Sequence, residues 1–267
     1  MLRGLKRKNE RNIAQQVKGN PKAFWSHVCG KLKTKSGVAP FIDEKDKTKK
    51  FSDSDKANIL QDQFSSVFTI EPTEDIPRLE RRTNTEIVNM TVTQEIVENE
   101  IKRMNVNKTC GPDEIPARML QELINHLSSP LVQIFRKSLQ QGQLPSDCKL
   151  AYISAIFKKG NRHQAVNYRP ISLTSVVCKL METLLKHVIV KHLEENDLLS
   201  KKQHGFVKGR STTTQLLSYL AECAEVVASG GVVDAIYFDF AKAFDTVPHQ
   251  RLLSKLSSYG IGGYLLE

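Results

Sequence analysis

The nine residues Val232-Val233-Asp234-Ala235-Ile236-Tyr237-Phe238-Asp239-Phe240 constrain the fold of this chain more than any other segment. Seven of the nine are apolar, most of them β-branched or aromatic, and Gly230-Gly231 turns the chain into them. So short and continuous a run reads as a strand buried on both faces rather than as one side of an amphipathic helix. Its two aspartates work against that burial, because an unpaired carboxylate in an apolar interior is strongly unfavourable. Asp239 stands near the end of the run, where a carboxylate serves either as a cap or turn residue or as a metal ligand. The residues alone leave both roles open.

Charge narrows the choice of partner. The 267 residues carry 39 Lys and Arg against 29 Asp and Glu, a net charge of +10. Residues 1–35 hold ten basic residues against one acid and residues 149–215 hold twelve against four, whereas 36–148 and 216–267 are net acidic. Basic blocks of this size suit polyanions, since each neutralised phosphate releases condensed counterions; a solvated basic face is the alternative. With 40% hydrophobic and 25% charged residues the chain is of ordinary globular composition. No apolar run approaches the roughly 18 residues of a membrane span, so no membrane partner is expected. The basic start, Met1 to Lys8, has no apolar stretch behind it, which predicts an intracellular protein of the nucleus and/or cytoplasm. Cys29, Cys110, Cys148, Cys178 and Cys223 show neither C-x-x-C nor paired-histidine spacing, so zinc is not expected and a reducing compartment is.

The pattern predicts two regions. Residues 1–90 read as a mostly helical, partly disordered, linker-like extension. Asn20-Pro21 breaks an initial basic helix, and Phe24, Trp25 and Val28 recur at helical spacing. Residues 43–56 are charged and aperiodic and read as a loop. Ala57, Leu60, Phe64 and Phe68 form another helical stripe, followed by a Pro-containing connector around Glu71 to Arg82.

Residues 91–267 are firmer. Thr93 suits an N-cap, with Glu95 in the first turn and Val97, Ile101 and Met104 on one face. Asn107 to Asp113 breaks that helix, and Pro116 starts another, with Met119, Leu120, Leu123, Ile124 and Leu127 as its face. Pro130 then opens a third, containing Leu131, Ile134 and Phe135. Ala151 to Phe157 reads as a strand, and the segment after Asn167-Tyr168-Arg169-Pro170 as a long helix with Leu173, Val176, Leu180, Leu184 and Val188 on one side. Gln203 to Arg210 is a basic Gly-containing loop, and Thr214 to Val227 is helical.

Ile236-Tyr237-Phe238-Asp239-Phe240-Ala241-Lys242-Ala243-Phe244-Asp245 resembles motif A of reverse transcriptase-type polymerases. Its continuation, Thr246-Val247-Pro248-His249 with Leu252, Leu253, Leu256 and Tyr259-Gly260-Ile261, is similar to the version in non-LTR, LINE-type retrotransposons. Phe157-Lys158-Lys159-Gly160, Asn167 to Leu173 and Gln203 to Thr212 resemble the finger motifs of the same family, in the same order. Lys108 to Pro116 resembles the segment just upstream of them. Residues Asn20 to Trp25 and Phe64 to Phe68 weakly resemble the linker between the element's endonuclease and its polymerase.

The implied fold is α+β: an incomplete right-hand polymerase, fingers and the first part of the palm, with core motifs at 145–267 and the helical extension before it. The implied chemistry is template-primed DNA synthesis by two-metal phosphoryl transfer, with an RNA template, a DNA primer and deoxynucleoside triphosphates. Asp239 would be the catalytic metal ligand, with the Phe240 carbonyl beside it, for two Mg²⁺ ions, Mn²⁺ being the substitute. Phe244 would lie against the nucleotide sugar and exclude a 2′-hydroxyl; plain core packing is its other reading. Lys158, Lys159 and Arg169 would approach the triphosphate, and Lys208 and Arg210 the nucleic-acid strand. Asp245 is expected to bond locally, and Gly111-Pro112-Asp113 to be a turn without chemistry, capped by Asp113.

The family's aromatic-Ala-Asp-Asp hairpin and Gly-containing segment are not among these residues. One carboxylate does not position two metals, so the chain as given is expected to be inactive and Val232 to Phe240 to lie at an unpaired sheet edge. The competing readings are a non-catalytic RNA-binding protein or element relic that uses the basic blocks, and a maturase-like protein of group II introns. The Phe244 to His249 run suits the LINE-type family better than the last of these. Oligomeric state has no signature in the sequence.

Overall fold

The computed structural model describes Glu10, Asn12, Ala14, Gln15 and residues 37–43, 47–71 and 76–266. The chain divides into two compact units, Met1–Ile59 with Phe157–Tyr168, and Leu60–Ile156 with Arg169–Glu267. The expectations for Asn20-Pro21, Phe24, Trp25 and Val28 fall outside the described residues.

In the first unit, β1 (Phe41–Ile42) and β2 (Lys49–Lys50) pair antiparallel, Phe41 opposite Lys50. Phe41 is fully buried, its ring edge-on to Tyr168 at 5.1 Å, and Tyr168 stands 5.6 Å from Phe157. The backbone N–H of Ile42 donates to the His163 carbonyl at 2.9 Å, and His163 Nδ1 lies 2.6 Å from the Pro40 carbonyl. These bonds tie the β1 strand to the 158–167 loop. The 43–56 segment is therefore not a loop throughout: it holds β2 and the start of α1 (Asp53–Ser65). That helix starts on polar contacts rather than apolar periodicity. Ser52 Oγ accepts from the Asp55 N–H, and Lys56 pairs with Asp53 at 2.6 Å, which holds the Asp53 carboxyl below its usual range. Phe68 lies beyond its end.

The second unit is built on helices. α2 (Gln94–Arg103) begins where Thr93 Oγ1 accepts from the Ile96 N–H at 3.2 Å, as the sequence predicts. α3 (Ala117–Glu122) and α4 (Ile124–Gln141) follow, then α5 (Val176–Glu195). Val97, Ile101, Leu120, Leu131, Phe135, Leu139, Leu180 and Leu184 form the common core. The Gln121 side-chain amide donates to the carbonyls of Ile101, Lys102 and Met104, closing the C-terminal end of α2. Two expectations need correction here. Pro130 lies inside α4 rather than at the start of a helix, and Met119 and Leu123 are exposed. The chain breaks instead at Leu123, which ends α3 and precedes α4. Burial of Leu131, Val132, Phe135 and Leu139 keeps the helix continuous through a proline that an unsupported helix would resist by about 3 kcal/mol.

β3 (Ala151–Phe157) and β4 (Tyr168–Thr174) form a two-stranded sheet. The long helix after Pro170 thus starts later than its apolar pattern implied. Pro170 is accommodated in a strand that, among the described residues, has a partner on one side only. Ser175 then starts α5, its Oγ accepting from the Val177 and Cys178 N–H groups.

Residues 69–71 and 76–88 bond to segments near the end of the chain. Thr69 Oγ1 donates to the Thr246 carbonyl at 2.9 Å, and Ser254 Oγ to the Pro77 carbonyl at 3.1 Å. Ile87 and Ile261 form a parallel bridge, the Ile87 N–H donating to Gly260 O at 2.8 Å and the Gly262 N–H to Ile87 O at 2.9 Å. Gly260 has φ +80 and lies against Thr85, so neither its backbone nor its surroundings admit a side chain. Buried His192 places Nε2 2.7 Å from the Tyr259 carbonyl. The Tyr259-Gly260-Ile261 run is thereby a packing motif between α5, residues 83–88 and α7 (His249–Ser258).

Residues 212–245 contrast with this core. α6 (Thr212–Ala228) starts with a full capping box between Ser211 and Thr214, yet buries none of its residues. Val232 to Phe240 is irregular and exposed, with Phe238 at 87% exposure. The expected buried strand is not formed: no described strand lies beside it to complete a ladder, and apolar composition alone cannot satisfy its backbone groups.

Candidate nucleotide and nucleic-acid interface

Three segments carry the residues singled out by the sequence. The first is the 158–167 loop. The Lys158 N–H donates to the Asn167 carbonyl at 2.9 Å, Gly160 turns with φ +89, and the Asn167 amide donates to the Asn161 carbonyl at 2.9 Å. Arg162 covers the Phe157 ring at 4.8 Å, and the Tyr168 hydroxyl donates to the Arg162 carbonyl at 2.9 Å. This bonding braces the loop, while the side chains of Lys158 and Lys159 point into solvent with no ion partner among the described residues. Both lysines belong to the first unit. Arg169, exposed and likewise without an ion partner among those residues, belongs to the second.

The second segment is Gln203 to Ser211. Arg210 does not extend freely: its guanidinium donates to the carbonyls of Lys201 at 2.5 Å and Gln203 at 2.6 Å, which folds the loop over. His204 Nδ1 is 2.8 Å from Thr214 Oγ1, fixing the loop to the first turn of α6. Lys208 stays exposed beside Gly209, whose φ is +76.

The third segment holds Asp239, Phe240 and Phe244, all exposed. Beyond Asp239 the backbone closes a turn, the Asp245 N–H donating to the Lys242 carbonyl at 2.9 Å and Thr246 Oγ1 to the same carbonyl at 3.2 Å. The Phe244 ring meets Phe206 edge-on at 5.8 Å. This contact joins the motif A turn to the basic loop that carries Lys208 and Arg210. Phe206 is 95% exposed with φ +60, so it is not held by a core.

Asp239 has no bonded partner among the described residues, and no three His, Cys, Asp or Glu among them come together to hold a metal ion. Cys148 and Cys178 suit chemistry no better. Burial, with Cys148 and Glu182 nearby, pushes the Cys178 thiol up to about 12, and burial also raises Cys148. Such thiols stay protonated at neutral pH. Asp113 accepts weakly from the Ile115 N–H at 3.4 Å, in keeping with a turn. Gly111 is required by packing: a Cβ there would stand 2.5 Å from the backbone N of Ser175.

Sequence reasoning missed three features. Phe206 was within a quoted motif but had no reason to be paired with Phe244. Glu71 and Thr69, which hold the far side of the motif A turn, gave no local signal. A cavity of about 270 Å³ between α2, residues 105–109 and α5, with Arg103, Lys108 and Lys179 in its wall, needs three distant segments to exist at all.

The motif A turn thus meets the basic loop that carries Lys208 and Arg210, through Phe244 and Phe206, and comparison with known proteins shows what this part of the chain is similar to. Residues 156–266 match the reverse transcriptase (RNA-dependent DNA polymerase) family. The chain is 31% identical over 164 residues to the probable RNA-directed DNA polymerase from transposon BS of Drosophila melanogaster, covering 61% of this chain and 18% of that one. It is 29% identical over 157 residues to the probable RNA-directed DNA polymerase from transposon X-element of the same fly, covering 58% and 17%. Against the RNA-directed DNA polymerase from mobile element jockey, also of that fly, it is 30% identical over 165 residues, covering 61% and 18%. Over this segment the chain is similar to reverse transcriptases of the LINE-type, non-LTR kind. The chain spans less than a fifth of the length of these relatives.

Proposed function

We propose that the chain forms the fingers and first palm segment of a retrotransposon RNA-directed DNA polymerase, residues 1–90 being an extension to the polymerase portion at 91–267. Its partners are an RNA template, a DNA primer and deoxynucleoside triphosphates. The observation that carries this reading is the family match at residues 156–266, which coincides with the exposed side chains of Lys158, Lys159, Arg169 and Lys208, none with an ion partner among the described residues. An ammonium or guanidinium without an acidic partner is available to phosphate.

Reverse transcriptases work with divalent metal ions, here proposed as Mg²⁺ with Mn²⁺ as substitute. The residues present do not fit a two-ion site. Asp239 and the Phe240 carbonyl supply oxygen donors on one side only, and no carboxylate cluster accompanies them among the described residues. The role proposed for the residues present is binding: Lys158, Lys159 and Arg169 toward the triphosphate, Lys208 toward the strand. Arg210 acts by shaping the loop that presents Lys208, and Phe244 by lying against the sugar.

The test pairs a salt-titrated binding assay with primer extension. Each neutralised phosphate adds roughly −0.7 to the slope of log affinity against log salt for a single strand, so replacing Lys208 by Ala should reduce the slope by about that amount. Replacing Lys158 and Lys159 by Ala should instead weaken binding of a deoxynucleoside triphosphate. Extension with Mg²⁺ or Mn²⁺ should stay at background. Salt-insensitive binding would refute the nucleic-acid role, and templated extension would refute the assignment to binding alone.

A further inference from the structure

Motif A is followed by a helix that lacks a cap of its own. α7 opens at Pro248, which has no side-chain oxygen to offer, so its first amides need acceptors from elsewhere. They find them in Glu71: Oε2 accepts from the Gln250 N–H at 2.9 Å and Oε1 from the Arg251 N–H at 3.2 Å, with Arg251 Nε 3.3 Å from the same oxygen. The Glu71 side chain is 10% exposed. Two residues earlier, Thr69 Oγ1 donates to the carbonyl of Thr246, the residue that ends the turn begun at Lys242. The turn holds Phe244, whose ring meets Phe206.

We infer that Glu71 and Thr69 are positioning residues for motif A, Glu71 acting through the α7 cap and Thr69 through the Thr246 carbonyl, and that together they set where the Asp239–Phe244 segment lies. The carboxylate satisfies orphan amides at the positive end of the helix, so it holds that end with a charge-assisted bond rather than a weak neutral one. Thr69 and Glu71 together fix both sides of Val247-Pro248, leaving the turn one anchored exit. The inference rests on the proposed function only for what Asp239 and Phe244 do; the positioning itself is a property of this chain.

The test uses the whole chain and reads amide exchange and aromatic contacts by NMR. Glu71→Ala should accelerate exchange at Gln250, Arg251, Asp245 and Thr246 by about tenfold or more, leave α2 and α4 unchanged, and abolish the Phe206–Phe244 ring contact. Glu71→Gln, which keeps an acceptor, should restore part of the protection. Faster exchange at Gln250 and Arg251 with the ring contact intact would overturn the inference, because Glu71 would then only cap α7. If Glu71→Ala loosens the whole molecule, Thr69→Val decides instead: it removes the Thr69 bond to the Thr246 carbonyl, and an unchanged ring contact there also overturns the inference. Separately, polymerisation by a full-length element enzyme carrying Asp239→Asn would sink the functional reading and leave the exchange result to judge this one.

Discussion

The helical cluster of α2, α4 and α5 and the segment from α6 to Phe244 are both rich in large apolar residues, yet one buries them and the other does not. Phe135 is 1% exposed, whereas Leu217 is 62% and Phe240 81% exposed. Helices satisfy their own backbone, so α2, α4 and α5 need only apolar faces to meet. A strand cannot, and Val232 to Phe240 has no described neighbour to pair with. Apolar patterning measures what a segment can bury; the number of partners within reach decides what it does bury.

Substitutions can break or sharpen this contrast, and the largest effect belongs to the core. Phe135→Ala should cost about 3–5 kcal/mol in urea unfolding, while Leu217→Ala should stay within about 0.5 kcal/mol. Similar losses at both sites would mean that α6 is packed. His192→Ala leaves the Tyr259 carbonyl without its ring partner and should cost roughly 1–3 kcal/mol by thermal unfolding. A negligible change would place α7 among the loosely held elements. Smaller still, Phe238→Ser should barely alter the unfolding midpoint but reduce aggregation measured by light scattering, since it removes exposed apolar surface. A marked destabilisation would show that Val232 to Phe240 is buried after all.

The smallest effect concerns Glu98, whose carboxyl Gln94 and then Ser128 hold below the usual glutamate range. Because its folded value is depressed, its contribution is present above the unfolded value and is lost as pH falls through the folded one. Ser128→Ala should move the Glu98 carboxyl titration, followed by NMR, upward toward the ordinary value. No movement would mean that Ser128 does not bond it in solution.

Much of the helical core was legible because its determinants are local. Thr93 as a cap, Val97 and Ile101 on one face and the apolar side of α5 all lie within a few turns of one another. The family match needed only the order of short motifs. What escaped depends on distance. Whether 232–240 forms a strand depends on a partner strand; Pro130 stays helical because of what packs around it; β4 extends through Pro170 because β3 lies beside it. In the candidate site the lysines were legible as types, but the binding of Arg210 to its own loop and the pairing of Phe206 with Phe244 were not.

The bond from Thr69 to Thr246 spans 177 positions, and that distance has a consequence in time. At a synthesis rate of about 5–20 residues per second, roughly 9 to 35 s separate the emergence of the two residues. α2, α4 and α5 have all their parts by the time residue 195 is made and can assemble first. Residues 69–71 and 76–88 cannot make their bonds to α7 and the residues after it until those residues are made. They are made among the first residues of the second unit, yet their partners near the end of the chain are made among its last.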